Sequence, residues 1–187
     1  MFDNITGAQL KAMNGEQLEA LCEELRKKII KSVMENGGHL SSNLGMVELT
    51  VALHYVFDFP EDKLIFDVGH QCYAHKMLTG RESGFAALRR RGGLSGFPKR
   101  EESAYDCYNT GHAGTSISAA LGIAKARDLA GRNFNVIAVI GDGSFNNGLV
   151  YEALVSLKQL DTNILVILND NGMSISPTVG SMHEYLE

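Results

Sequence analysis

Residues Asn135 to Met173 read NVIAVIGDGSFNNGLVYEALVSLKQLDTNILVILNDNGM. Val136 to Ile140 is short, apolar and β-branched, the composition of a parallel strand buried on both faces. Asn147 to Leu160 has helical spacing, with Leu149, Ala153, Leu154 and Leu157 on one face. Ile164 to Leu168 reads as a second buried strand. A strand–helix–strand unit of this length closes as a right-handed crossover, with its two strands parallel. The C-terminal ends of the strands then lie side by side. This predicts Asp142 and Asn171 on one edge of the sheet, the edge at which open α/β folds bind ligands. The fold class that follows is α/β, a doubly wound, mostly parallel sheet flanked by helices.

The residue types at that edge point to a particular chemistry. Asp142 offers a hard anionic oxygen, Asn171 a neutral amide oxygen, and the backbone near Met173 a carbonyl. That is too little charge for a calcium cage. It suits Mg²⁺, which takes one or two protein ligands and fills its octahedron with water and phosphate oxygens. Gly141 and Gly143 let a phosphate approach the backbone without a Cβ in the way. The amides of Gly143 and Ser144 are placed to donate to it. Gly-Asp-Gly alone reads equally well as a polar turn. A second polar turn, Asn169-Asp170-Asn171, at the next strand end favours a metal–diphosphate site.

Outward from this stretch, 187 residues make one ordinary α/β domain with its own core. The hydrophobic share of 44% and the charged share of 21% are those of a globular protein. A net charge of −5 gives no footprint for nucleic acid, and Arg89-Arg90-Arg91 reads as a solvated turn. The N-terminal residues lack a signal-peptide pattern and no apolar run reaches membrane-spanning length, so the expected location is cytoplasmic, with no membrane contact. Cys22, Cys72 and Cys107 form neither a disulfide framework nor a zinc pattern.

Residues 1–13 read as an arm or short helix. Asn14 and Gln17 form an expected capping box for a helix to Asn36, ended by Gly37-Gly38. Ser41, Ser42 and Asn43 are the expected caps of a helix from Met46 to Phe57, which carries a structural His54. Leu64 to Val68 reads as a strand that places His70 in the ligand crevice. Residues 79–110 have the weakest periodicity and predict a long loop with short helices over the active site. Gly111-His112-Ala113-Gly114 opens a helix to Leu129, with Thr115 or Ser116 as its expected cap. A loop with Pro177 and Gly180 follows the central unit.

Gly141-Asp142-Gly143 with Asn169-Asp170-Asn171 resembles the thiamine-diphosphate motif of the transketolase superfamily. Gly37 to Gly45 (GGHLSSNLG), Asp67 to Gln71 (DVGHQ), Gly92 to Arg100 (GGLSGFPKR) and Gly111-His112 with Thr115 to Ala120 (TSISAA) resemble, more narrowly, 1-deoxy-D-xylulose-5-phosphate synthases. The resemblance covers nearly the whole chain in the right order. It implies thiamine diphosphate and Mg²⁺ as cofactors, and condensation of pyruvate with glyceraldehyde 3-phosphate with loss of CO₂. The product would serve isoprenoid and thiamine synthesis.

The resemblance also implies roles: His39 and His70 as catalytic residues; His70, Gly111, His112, Ala113, Gly143, Ser144 and Asn171 on the cofactor; Asp142, Asn171 and Met173 on the metal. It makes residues 1–187 the diphosphate-binding (PP) domain, truncated before a pyrimidine-binding domain and a C-terminal domain, with a homodimer expected. A chain of this extent is expected to be inactive alone, because the family's glutamate for the aminopyrimidine lies in the second domain. Two related possibilities are the N-terminal subunit of a split transketolase-like enzyme and a non-catalytic thiamine-diphosphate-binding homologue. The chain departs from the family's usual pattern at Ser144 to Gly148, bulkier than the common run, and at Ala113 and Asn109.

Overall fold

The computed structural model describes residues 5–170. The elements in chain order are helices α1 (Gly7–Lys11), α2 (Gly15–Asn36), α3 (Ser41–Leu44) and α4 (Val47–Val56), strand β1 (Lys63–Phe66) and helix α5 (Tyr73–Lys76). A π-turn (Met77–Arg81) and a 3₁₀ segment (Glu82–Ala87) follow, then α6 (Ser116–Leu129), β2 (Val136–Gly141), α7 (Asp142–Phe145), α8 (Gly148–Leu160) and β3 (Leu165–Asn169). Asn171, Met173 and the expected loop carrying Pro177 and Gly180 lie outside the described residues. The chain divides into two compact units, Met1–Phe59 with Gly69–Tyr105, and Pro60–Val68 with Asp106–Glu187.

In the first unit, α2 begins with the expected capping box: Asn14 Oδ1 accepts from the Gln17 amide and Gln17 Oε1 from the Asn14 amide. Leu21, Cys22, Leu25 and Ile29 recur at helical spacing and are buried as α2 packs on α4. Burial, with the Glu48 carboxylate second, pushes the Cys22 thiol up to about 11, so it stays a protonated core residue. The expected cap of α4 is not found. Ser41 to Leu44 forms a helical turn of its own, the N-cap position of α4 is Met46, and it makes no side-chain cap bond. Asn43 is instead drawn inward, only 1% exposed, to satisfy buried backbone groups.

Residues 79–110 hold the expected short helices and loop, tied down by polar contacts. Lys76 is fully buried and pairs with Glu102, whose other oxygen accepts from the Ser95 amide at 2.7 Å. His54, expected to be structural, is buried with its Nε2 3.0 Å from Nδ1 of His75. Burial first, then the charges of His75 and Arg81, holds His54 well below the ordinary histidine range.

In the second unit the sheet has the order β1-β2-β3, all parallel, as the strand–helix–strand reading requires. Val136 to Ile140 are at most 1% exposed, so β2 is covered on both faces. One face, with Val136, Ala138 and Ile140, packs against Ile117, Ala120, Leu121 and Ala124 of α6 and Val150 and Ala153 of α8. Two expectations change here. β3 pairs only with β2 among the described residues and Leu165 is 43% exposed, so it is an edge rather than a fully buried strand. On α8, Val150 occupies the inner face and Leu149 is exposed, because Val150, Ala153, Leu154 and Leu157 form the i, i+3, i+4, i+7 stripe that packs on the core.

Two predictions follow from this packing. Ile140→Ala is expected to cost about 2–5 kcal/mol, read by urea denaturation. His54 titrates lower folded than unfolded, so its contribution is whole above the unfolded value, about 6.5, and is lost as pH falls toward the folded value. Stability should decline with acidification below that point, and the decline should be shallower in His54→Gln.

Candidate functional site

The two units carry different parts of the predicted machinery. In the first, His39 and His70 come together although they are far apart in sequence. Their rings meet edge to face, centroids 5.2 Å apart at 69°. The Phe97 ring lies against His39 at 5.7 Å, a role for the GGLSGFPKR stretch that the sequence did not supply. His39 Nδ1 is buried without a hydrogen-bond partner. Burial, with the Arg89 charge second, lowers the His39 pKa from its ordinary value, which favours the neutral ring.

Behind the pair sit Asn43 and Tyr73. Asn43 Nδ2 donates to the backbone carbonyls of His39 (2.6 Å) and His70 (2.8 Å), and its Oδ1 accepts from the Tyr73 amide at 2.9 Å. The Tyr73 hydroxyl accepts from the His39 amide at 3.5 Å. Burial raises the Tyr73 pKa, so the phenol keeps its proton. Gly38 has φ +144, and a Cβ there would stand 2.7 Å from the Tyr73 hydroxyl, so the turn into His39 requires glycine on both counts.

The second unit carries the strand-end residues. Asp142 follows directly on β2 and opens α7, a single helical turn that replaces the open turn expected there. It is 8% exposed, while Gly143 is exposed and Ser144 half-buried. Gly111 and His112 are exposed and Ala113 half-buried in the loop before α6. A Cβ added at Gly111 would meet nothing within 4 Å, and one at Gly114 would stand 2.7 Å from Asn147 Cγ. The loop before α6 and the turn after α7 are therefore packed together through Gly114 and Asn147 (a residue in the departing Ser144 to Gly148 run).

Thr115, one of the two expected residues, holds the N-cap position of α6, but its side chain makes no cap bond. Asp67, just past β1, does this work: its carboxylate accepts from the Gly114 amide at 2.8 Å and the Ser116 amide at 3.0 Å. Sequence reading placed Asp67 in a motif without a role, because its partners are distant in the chain. The next residue, Val68, has φ +58, an outlier for a β-branched residue and one of the strained positions that gather at functional sites.

The donor chemistry fits Mg²⁺ and a diphosphate. Asp142 is a hard oxygen donor at a strand end, between Gly141 and the exposed Gly143. Among the described residues no three His, Cys, Asp or Glu side chains form a group that could hold a metal ion by themselves.

The fold is that of the transketolase class. The structure matches transketolase from Campylobacter jejuni with a TM-score of 0.77 and 25% identity, covering 92% of this chain and 32% of that one. Within that class the sequence is decisive: the family model described as 1-deoxy-D-xylulose-5-phosphate synthase matches residues 3–187, and the chain belongs to that family. It is 59% identical over 179 residues to the 1-deoxy-D-xylulose-5-phosphate synthase of Nitrosomonas europaea, covering 96% of this chain and 29% of that one. It is 59% identical over 177 residues to that of Clostridium tetani, covering 95% and 29%. The chain spans less than a third of the length of these relatives.

Asp67→Ala leaves the Gly114 and Ser116 amides without their acceptor. The expected cost is about 1–3 kcal/mol, with faster amide exchange at both residues while β2 keeps its protection.

Proposed function

We propose that this chain is the metal- and diphosphate-binding part of an enzyme that condenses pyruvate with glyceraldehyde 3-phosphate, releasing CO₂, to give 1-deoxy-D-xylulose 5-phosphate. The observation that carries the reading is Asp142: in a member of this family, a shielded carboxylate stands at the C-terminal end of the central strand, beside glycine-rich loops. Thiamine diphosphate, when bound, supplies the electron sink for losing CO₂ from a 2-oxo acid, chemistry that no side chain provides.

The chain's own residues do the rest. Asp142, the Asn171 amide oxygen and the Met173 backbone carbonyl hold Mg²⁺. The Gly143 and Ser144 amides and the Gly111-His112-Ala113 loop take the diphosphate, and Asn171 and His70 also contact the cofactor. His39 and His70 act in proton transfer and in aligning the acceptor. Their adjacency supports assigning them as a pair. The remaining groups of the active site come from further polypeptide, on the same chain or a second subunit, within a homodimer.

Calorimetric titration of thiamine diphosphate tests this. Binding is expected to require Mg²⁺ and to weaken at least about 10-fold in Asp142→Ala, as for loss of a group that holds a metal. Equal binding by the variant and the parent, or no binding by the parent in Mg²⁺, contradicts the reading.

A further inference from the structure

The structure assigns Asn43 as the positioning residue of the His39–His70 pair: its side-chain amide holds the two histidine backbones side by side. The inference rests on the proposed function only in treating that pair as the proton-carrying groups.

The geometry explains why an asparagine stands here. Two peptide carbonyls, those of His39 and His70, point at one spot in the interior. Two acceptors cannot bond each other, and each costs free energy if left unpaired. A primary amide offers two donors on one nitrogen and, across from them, an acceptor. Asn43 uses all three functions: Nδ2 reaches both carbonyls, at 2.6 and 2.8 Å, and Oδ1 takes the Tyr73 amide at 2.9 Å. Its neighbours in sequence do not need it as a cap, since α4 has no side-chain cap bond.

The arrangement is closed on its far side by Tyr73. The same residue whose amide orients Asn43 Oδ1 presents its hydroxyl to the His39 amide. The His39 backbone is thus held at its carbonyl by Asn43 and at its amide by Tyr73, and the His70 backbone at its carbonyl by Asn43. With both main chains fixed, the two side chains start from the positions at which their rings meet edge to face, at 5.2 Å. Aspartate at position 43 would keep the acceptor for Tyr73 and lose both donors. Glutamine would carry the amide one methylene too far.

The test is NMR on the chain without cofactor. In the parent, both Asn43 Nδ2 protons should exchange slowly with solvent, and the His39 and His70 ring protons should show a mutual NOE. In Asn43→Ala and Asn43→Asp that NOE should be lost and the His39 pKa should move up toward the ordinary histidine value. Leu25→Ala, which weakens the core of the same unit without touching the pair, should keep both signatures.

The inference is overturned if a folded position-43 variant retains the NOE and the parent's His39 titration. It is also overturned if the parent's Nδ2 protons exchange as fast as those of an exposed amide, a readout that decides even where a variant does not fold. None of these readouts involves cofactor, so failure at Asp142 and failure at Asn43 are told apart.

Discussion

A strand covered on both faces has no room for polar side chains except at its ends, and β2 imposes that constraint on this chain. Val136 to Ile140 are sealed in the sheet. The first residue able to carry a charge is Asp142, where the strand gives way to α7. Parallel pairing in register with β1 and β3 brings all three C-terminal ends to the same edge. Asp67 after β1, Asp142 after β2 and Asp170 after β3 stand at those ends. Along β2 itself, burial leaves charged chemistry no place but the strand's ends.

Within that frame, single polar side chains decide where the loops go. Asp67 bonds two amides at the start of α6, and so fixes the Gly111 to Gly114 loop to the end of β1. Asn43 does the comparable work in the other unit, binding three backbone groups drawn from two segments. Both act on backbone rather than on side chains. A buried amide or carbonyl without a partner is costly, so such contacts set the path of a loop more sharply than apolar packing does. The adjacency of His39 and His70 rests on this kind of contact.

Much of this was legible in the sequence, for identifiable reasons. The parallel sheet followed from two apolar β-branched runs separated by a helix, and the α2 cap from Asn14 and Gln17, whose partners are local. The pairing of His39 with His70 emerged only in outline, through motif resemblance. What stayed hidden depended on distant partners. Asn43 looked like a cap because cap residues are recognised by neighbours in sequence, whereas it reaches the His70 carbonyl and the Tyr73 amide; at α6 the amide of Ser116 is taken by Asp67, distant in the chain. An apolar run such as β3 does not distinguish a central strand from an edge, and on α8 Leu149 and Val150 are both apolar, so composition did not choose which of them faces inward. Phe97 gained its place beside His39 from a loop with no periodicity to read.

The central claim is that the end of β2 and the loop before α6 form one metal–diphosphate site. The most direct measurement replaces Mg²⁺ with paramagnetic Mn²⁺ in the presence of thiamine diphosphate and follows the backbone amide signals. The account predicts that Asp142 to Phe145 and Gly111 to Gly114 broaden first and together. Broadening centred on acidic side chains elsewhere, such as Glu23 and Glu24 of α2, with the Asp142 to Phe145 signals left sharp, would contradict it.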